Sequence, residues 1–182
     1  MPIGPLMIEH RLIERMIARM ATEVQAMKKS SVADCDFIKA AIDFIKTYAD
    51  DVHHGKEEAI LFRDLAKKPL SPEHKKILAD LLKEHAMGRV NTAKLSEARQ
   101  RYLDGEEAAI KDIIAQMEIL ASFYPKHIEK EDKHFFLPVM AYFTQAEQDA
   151  MLAESNEFDR NFINERYTKI VEKWERERNP DG

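Results

Sequence analysis

Residues 53 to 58, HHGKEE, concentrate imidazole and carboxylate groups in consecutive positions. An i, i+4 spacing places His53 and Glu57 on one helix face, and the same pair recurs as His127 and Glu131. A single His-x-x-x-Glu is often a surface helix pair, and a lone histidine on an apolar face is usually a satisfied core residue. Here two such pairs are joined by His10 and His85, each standing in a gap of an apolar stripe. Four imidazoles and two carboxylates buried at one level would be very costly unless a cation offset their desolvation. Two carboxylates able to bridge, with imidazoles on either side, suit a pair of iron ions.

Such a site needs four helices to carry it, and the punctuation of the chain supplies them. Helix A is expected from about Pro5 to Lys28, with stripe Leu6, His10, Ile13, Ile17, Met20, Val24, Met27. Asp34 is a natural N-cap for helix B, which ends near Lys67 before Pro69. Its stripe is Ile38, Ile42, Ile45, Ala49, His53, Glu57, Ile60. Ser71 and Pro72 open helix C, which carries Leu78, Leu81, His85, Gly88, Thr92 and Leu95 inward and closes near Gly105. Helix D, from Glu106 to about Phe136, presents Ile110, Ile113, Met117, Leu120, Tyr124, His127, Glu131 and His134, with a local kink expected at Pro125. Short connections make neighbouring helices antiparallel. The expected fold is all-α, an up-down-up-down four-helix bundle over residues 1–140. Residues 141–182 form a C-terminal helical extension. In it Thr144 and Glu147 read as a capping box, a further helix spans about Glu157 to Glu177, and NPDG is a frayed tail. Counted from the shared turns at about 1.5 Å per residue, the four stripe histidines fall at one height to within about a turn.

These segments, IEHRLIERM, HHGKEEAILF, KEHAMGR and HIEKEDKHFFLP, resemble the hemerythrin-like (HHE cation-binding) family over about residues 6 to 140. The resemblance implies a non-haem di-iron site in an antiparallel bundle. His10 and His53 would hold one iron, His85 and His127 the other, and Glu57 and Glu131 would bridge them. The oxygen-carrying members have a second histidine one turn before the helix C ligand, where this chain has Leu81. His54, about 100° off a straight-helix stripe, and His134, two turns beyond His127, are the candidates to replace it. Asp132 is a rival to Glu131, since the carriers place an aspartate at its spacing, while His74 lies too far along helix C and reads as structural. A ferritin-like di-iron carboxylate site would need Glu-x-x-His twice. Only Glu131-x-x-His134 matches, so that alternative loses.

Hydrophobic residues make up 45% and charged residues 34% of the 182 positions, with only 5 Gly and 7 Pro, a composition of long helices. The net charge of −5 comes with no basic stripe interleaved with aromatics, which argues against nucleic-acid binding. No apolar run approaches a membrane span, and MPIGPLMIEH does not read as a secretory signal. The single cysteine, Cys35, fits a reducing compartment, so a cytoplasmic protein is expected. Lys56 is expected in solvent and Glu58 facing away from the core. Three classes of function are open. One is binding or sensing of oxygen or nitric oxide, favoured because no residue reads as a dedicated proton shuttle. The second is a peroxidase-like, catalase-like or nitric-oxide-reducing enzyme, and the third is iron storage or donation for iron–sulfur repair. Phe158, Phe162, Tyr167, Ile170, Val171 and Trp174 of the extension need cover, either on the bundle or in a homodimer.

Overall fold

The computed structural model describes residues 1–159 and 163–178, without the side chains of 163–165 and 177–178. Phe162 and the NPDG tail therefore lie outside the described residues. Among the described residues every regular element is helical. Helix α1 is Ile3–Ser30, closed by Ser31 in the left-handed region with its N–H on the Met27 carbonyl. Helix α2, residues 35–65, starts where the Asp34 side chain accepts the Phe37 N–H. Helix α3 is Pro72–Leu103, with Ser71 accepting the His74 N–H and Pro72 in the first turn. Gly105, at φ 98°, turns the chain back. A 3-10 turn, Glu107–Ala109, leads into α4, residues 110–139, and Pro125 lies inside its run Ile110–Lys130 without ending it. The capping box of Thr144 and Glu147 opens α5, Gln145–Phe158, so this helix runs through the point where the last helix was expected to begin. Helix α6 is Ile163–Arg178.

Helices α2 and α4 are not wound uniformly. In α2, Cys35–Asp43 is α-helical, Phe44–His54 and Glu57–Phe62 are π-helical, and Arg63–Leu65 is α-helical again. In α4 the π-helical stretch is Glu131–Phe135. The i→i+5 hydrogen bonds of π winding give more residues per turn than an α-helix, so each residue rotates less. A stripe drawn for a straight α-helix therefore drifts in phase along these stretches.

Two apolar layers fill the bundle. One contains Ile13, Met16, Met20, Phe37, Ile38, Phe44, Leu95, Met117 and Tyr124, and extends to Tyr167 and Val171 of α6. The other contains Ile3, Leu6, Ile60, Phe62, Leu65, Leu81, Phe135, Phe136 and Met151 of α5. The extension thus covers bundle surface at both levels. Trp174 packs edge-on against Phe37 at 5.2 Å, and the Tyr167 hydroxyl donates to Asp43 at 2.9 Å. Between the two layers lies a layer of buried polar groups.

Candidate metal centre

The polar layer holds His10, His53, His54, Glu57, His85, His127 and Glu131, each at most 2% exposed. Their donor atoms form two groups, His10, His53, Glu57 and Glu131 on one side and His54, His85 and His127 on the other. Within each group the candidate atoms lie within 4.8 Å of one another. The two glutamates span the groups. Glu57 turns Oε1 toward His53 Nε2 at 3.5 Å and Oε2 toward His85 Nε2 at 3.4 Å. Glu131 turns Oε2 toward His10 Nε2 at 3.2 Å and Oε1 toward His127 Nε2 at 3.3 Å.

The inner faces of six of these residues have no hydrogen-bond partners. Nε2 of His10, His53, His85 and His127 and both oxygens of Glu57 and Glu131 are buried and unpaired. Buried polar groups are ordinarily satisfied, so this cluster of orphaned donor atoms has the composition a cation would complete. The outer faces are fully engaged. Nδ1 of His10 meets Asp132 at 2.7 Å, His53 meets Glu9 at 2.8 Å, and His54 meets Asp50 at 3.2 Å. His85 meets Glu58 at 2.7 Å and His127 meets Glu84 at 2.8 Å. An ionised carboxylate can only accept, so each Nδ1 is the donor, and wherever the ring is neutral its Nε2 lone pair faces the interior.

Four of these outer bonds run around the bundle in one direction. Glu9 sits beside His10 on α1 and takes His53 of α2. Glu58 sits beside Glu57 on α2 and takes His85 of α3. Glu84 sits beside His85 on α3 and takes His127 of α4, and Asp132 sits beside Glu131 on α4 and takes His10 of α1. A cation from the same helix as each histidine grips the same carboxylate: Lys56 on Glu9, Arg89 on Glu58, Lys130 on Glu84 and Arg11 on Asp132. Arg89 also holds Asp50 at 2.8 Å. Burial pushes the carboxyls of Asp50, Glu58 and Glu84 up, but their histidine and cation partners outweigh it and hold all three below their ordinary values. For Glu9 burial prevails over Lys56, and its pKa is raised.

Inside the layer, burial together with neighbouring imidazoles pushes His53 and His54 well below the ordinary histidine value, which leaves them neutral donors. Burial lowers His10 too, but Asp132 and Glu131 outweigh it and hold its pKa up to about 9. Burial and the Glu131 charge push Glu57 far up. Both departures mark places where positive charge is favoured.

Several sequence expectations change here. His54 does reach the interior, with its ring stacked on His85 at 3.8 Å between centroids. The π winding of Phe44–His54 sets the inward direction between residues 53 and 54, so both enter the layer. His134 is exposed and outside both groups, because the π turn at Glu131–Phe135 brings Phe135 and Phe136 inward instead. Leu81 is fully buried in the apolar layer. Asp132 is an outer partner of His10 and lies outside both groups. Glu58 is turned to His85, not away, and Lys56 is 1% exposed, not solvated. His74 bonds the Tyr142 hydroxyl at 2.9 Å at the far end of α3. The outer roles of these carboxylates were missed from sequence, although Glu9, Glu58, Glu84 and Asp132 each adjoin an inward residue, one on each helix.

The sequence model of the hemerythrin HHE cation binding domain matches residues 1–139. The chain belongs to the hemerythrin HHE cation-binding family. Comparison with curated proteins and with solved structures gave no match. As in that family, this is a helical bundle with a metal-binding domain. The hemerythrin match ends where α4 ends, and α5 and α6 lie beyond it. No described helix is long and apolar enough to cross a membrane.

Proposed function

We propose that this hemerythrin-like bundle holds two non-haem iron ions and binds or senses a small diatomic ligand, oxygen or nitric oxide. The observation that carries the proposal is the set of unpaired buried donors, four imidazole Nε2 atoms and four carboxylate oxygens facing one another. His10 and His53 would hold one ion and His54, His85 and His127 the other, with Glu57 and Glu131 bridging. His54 then supplies the imidazole that Leu81 does not. Imidazole and carboxylate donors together suit iron, and an iron pair supplies reversible electron transfer when bound. The first group offers one donor fewer than the second, since each bridging carboxylate gives one oxygen to each side. That leaves room for an exchangeable ligand.

The protein's own contribution is orientation and exclusion. The outer carboxylates fix the tautomer of all five histidines, and the apolar layers above and below keep bulk water out. On the three-imidazole side a cavity of about 10 Å³, roughly one water in size, is bounded by residues that include His54, His85, Gly88, Arg89, Thr92 and Tyr124. Tyr124 supports the alternative reading, a peroxide-consuming enzyme. Its ring lies parallel to that of His54 at 6.5 Å between centroids, which sets a phenol O–H beside the layer.

Iron analysis after anaerobic expression should give two irons per chain, and a folded protein that takes up no iron would sink the proposal. Exposing the ferrous protein to oxygen and returning it to anaerobic buffer separates the alternatives. A charge-transfer band that appears and fades reports a carrier or sensor. Irreversible oxidation with peroxide turnover reports an enzyme.

A further inference from the structure

We infer that the C-terminal extension is a positioning element for the metal pair, acting through the chain Asp159–Lys56–Glu9–His53. Lys56 is the one link among the four carboxylate-gripping cations that is sealed from water. Its side chain is 1% exposed, against 30% for Lys130, 43% for Arg89 and 55% for Arg11. Its ammonium lies between the Glu9 carboxylate, in direct contact, and both oxygens of Asp159 at 2.6 and 2.8 Å. Asp159 closes α5, beyond the end of the hemerythrin match. The neighbouring Phe158 crosses Gly55, where an added Cβ would stand 3.2 Å from the Phe158 ring. The absence of a side chain at Gly55 therefore lets the end of α5 approach the π-wound segment that carries His53 and His54.

This arrangement sets a charge balance. Lys56 draws electron density from the Glu9 oxygens and weakens them as acceptors for His53 Nδ1–H. Asp159 shares that positive charge and restores part of the acceptor strength, which makes His53 a better donor to a cation. Anchoring α5 does not need this particular bond, because Glu154 already bonds Arg63 and Glu147 bonds Lys68. The buried Lys56–Asp159 bond is thus free to serve the site.

The inference rests on the two-iron reading above, and the experiment separates the two. Wild-type protein, Asp159→Asn, Asp159→Glu and Glu154→Gln are loaded with ferrous iron anaerobically. Each is titrated with a competing chelator and scanned for its oxidised visible spectrum and midpoint potential. Loss of an outer partner of a metal-bound histidine typically costs about 10–100-fold in affinity. Asp159 acts one bond further out, so Asp159→Asn should weaken one of the two irons by about 3- to 10-fold on the same scale. Its potential should rise, because the oxidised ion depends more on His53, and Asp159→Glu should regain most of both. Glu154→Gln, which loosens the same helix away from the site, should leave affinity, spectrum and potential unchanged. Wild-type iron binding in Asp159→Asn, equal weakening in Glu154→Gln, or no recovery in Asp159→Glu each overturns the inference. Absence of two irons from wild type would instead overturn the reading beneath it.

Discussion

The two sides of the polar layer are built from the same parts but differ in donor number and in one sealed link behind them. On the His10 and His53 side there are two imidazoles, and the cation behind His53 is buried and tied to the extension. On the His54, His85 and His127 side there are three imidazoles, and a single half-exposed arginine, Arg89, holds the carboxylates behind two of them. One side has fewer donors, and its outer shell joins one sealed pair, Lys56–Glu9 behind His53, to an exposed one, Arg11–Asp132 behind His10. The other has more donors and an outer shell open to water and salt. The sealed link behind His53 is what sets the two sides apart.

The strongest way to break the comparison is to remove what both sides share. Glu131→Ala should abolish binding of both ions, seen as metal content falling from two per chain toward zero, with the protein still helical by circular dichroism. Removal of metal from the intact chain comes next. Saturation at about 100 times Kd stabilises a site by about 2.7 kcal/mol, which for a chain this long corresponds to roughly 5–10 °C in Tm. A strong chelator should produce that drop in a thermal scan, reversed by added iron.

Removing one imidazole from each side then measures the asymmetry directly. His53→Ala should lose its ion outright, because its side starts with two imidazoles. His54→Ala should retain both ions, one of them held more weakly than in wild type. Equal losses would show that donor number does not distinguish the sides. Arg89→Ala is a subtler probe. It frees Asp50 and Glu58 together and should weaken the three-imidazole side a few-fold, with most of the effect gone in high salt because exposed ion pairs are screened. The smallest effect is expected at Arg63, whose pair with Glu154 is exposed. Arg63→Ala should change stability by about 0–1 kcal/mol and leave metal content at the wild-type value.

The fold was legible because its punctuation is local. Asp34, Ser71–Pro72, Gly105 and Thr144–Glu147 act within a few residues of chain, and each ends or starts a helix where sequence placed it. The inward positions His10, His53, Glu57, His85, His127 and Glu131 could be read from period for the same reason. His54 and His134 could not, because their facing depends on winding accumulated over the π stretches, which a fixed period leaves out. Lys56 was misread for a different reason. Nothing within the helix-B segment indicates that Glu9 and Asp159, 47 and 103 residues away, will surround it. Residues that serve the site from the outer shell are fixed by tertiary neighbours, and single-helix patterns carry little trace of them.

The uneven winding of α2 has a consequence for how the chain tolerates change in length. In α1 and α3, which are α-helical throughout, facing is set one turn at a time and can be corrected at the next loop. In α2 the slack introduced between Phe44 and His54 acts as a vernier, advancing two adjacent imidazoles so that each addresses a different side of the layer. Shortening that stretch by a single residue would tighten the coil and swing one histidine out, leaving the composition of the helix almost untouched. The spacing of the two sides is therefore encoded in how many residues precede HHGKEE, as much as in those six residues themselves.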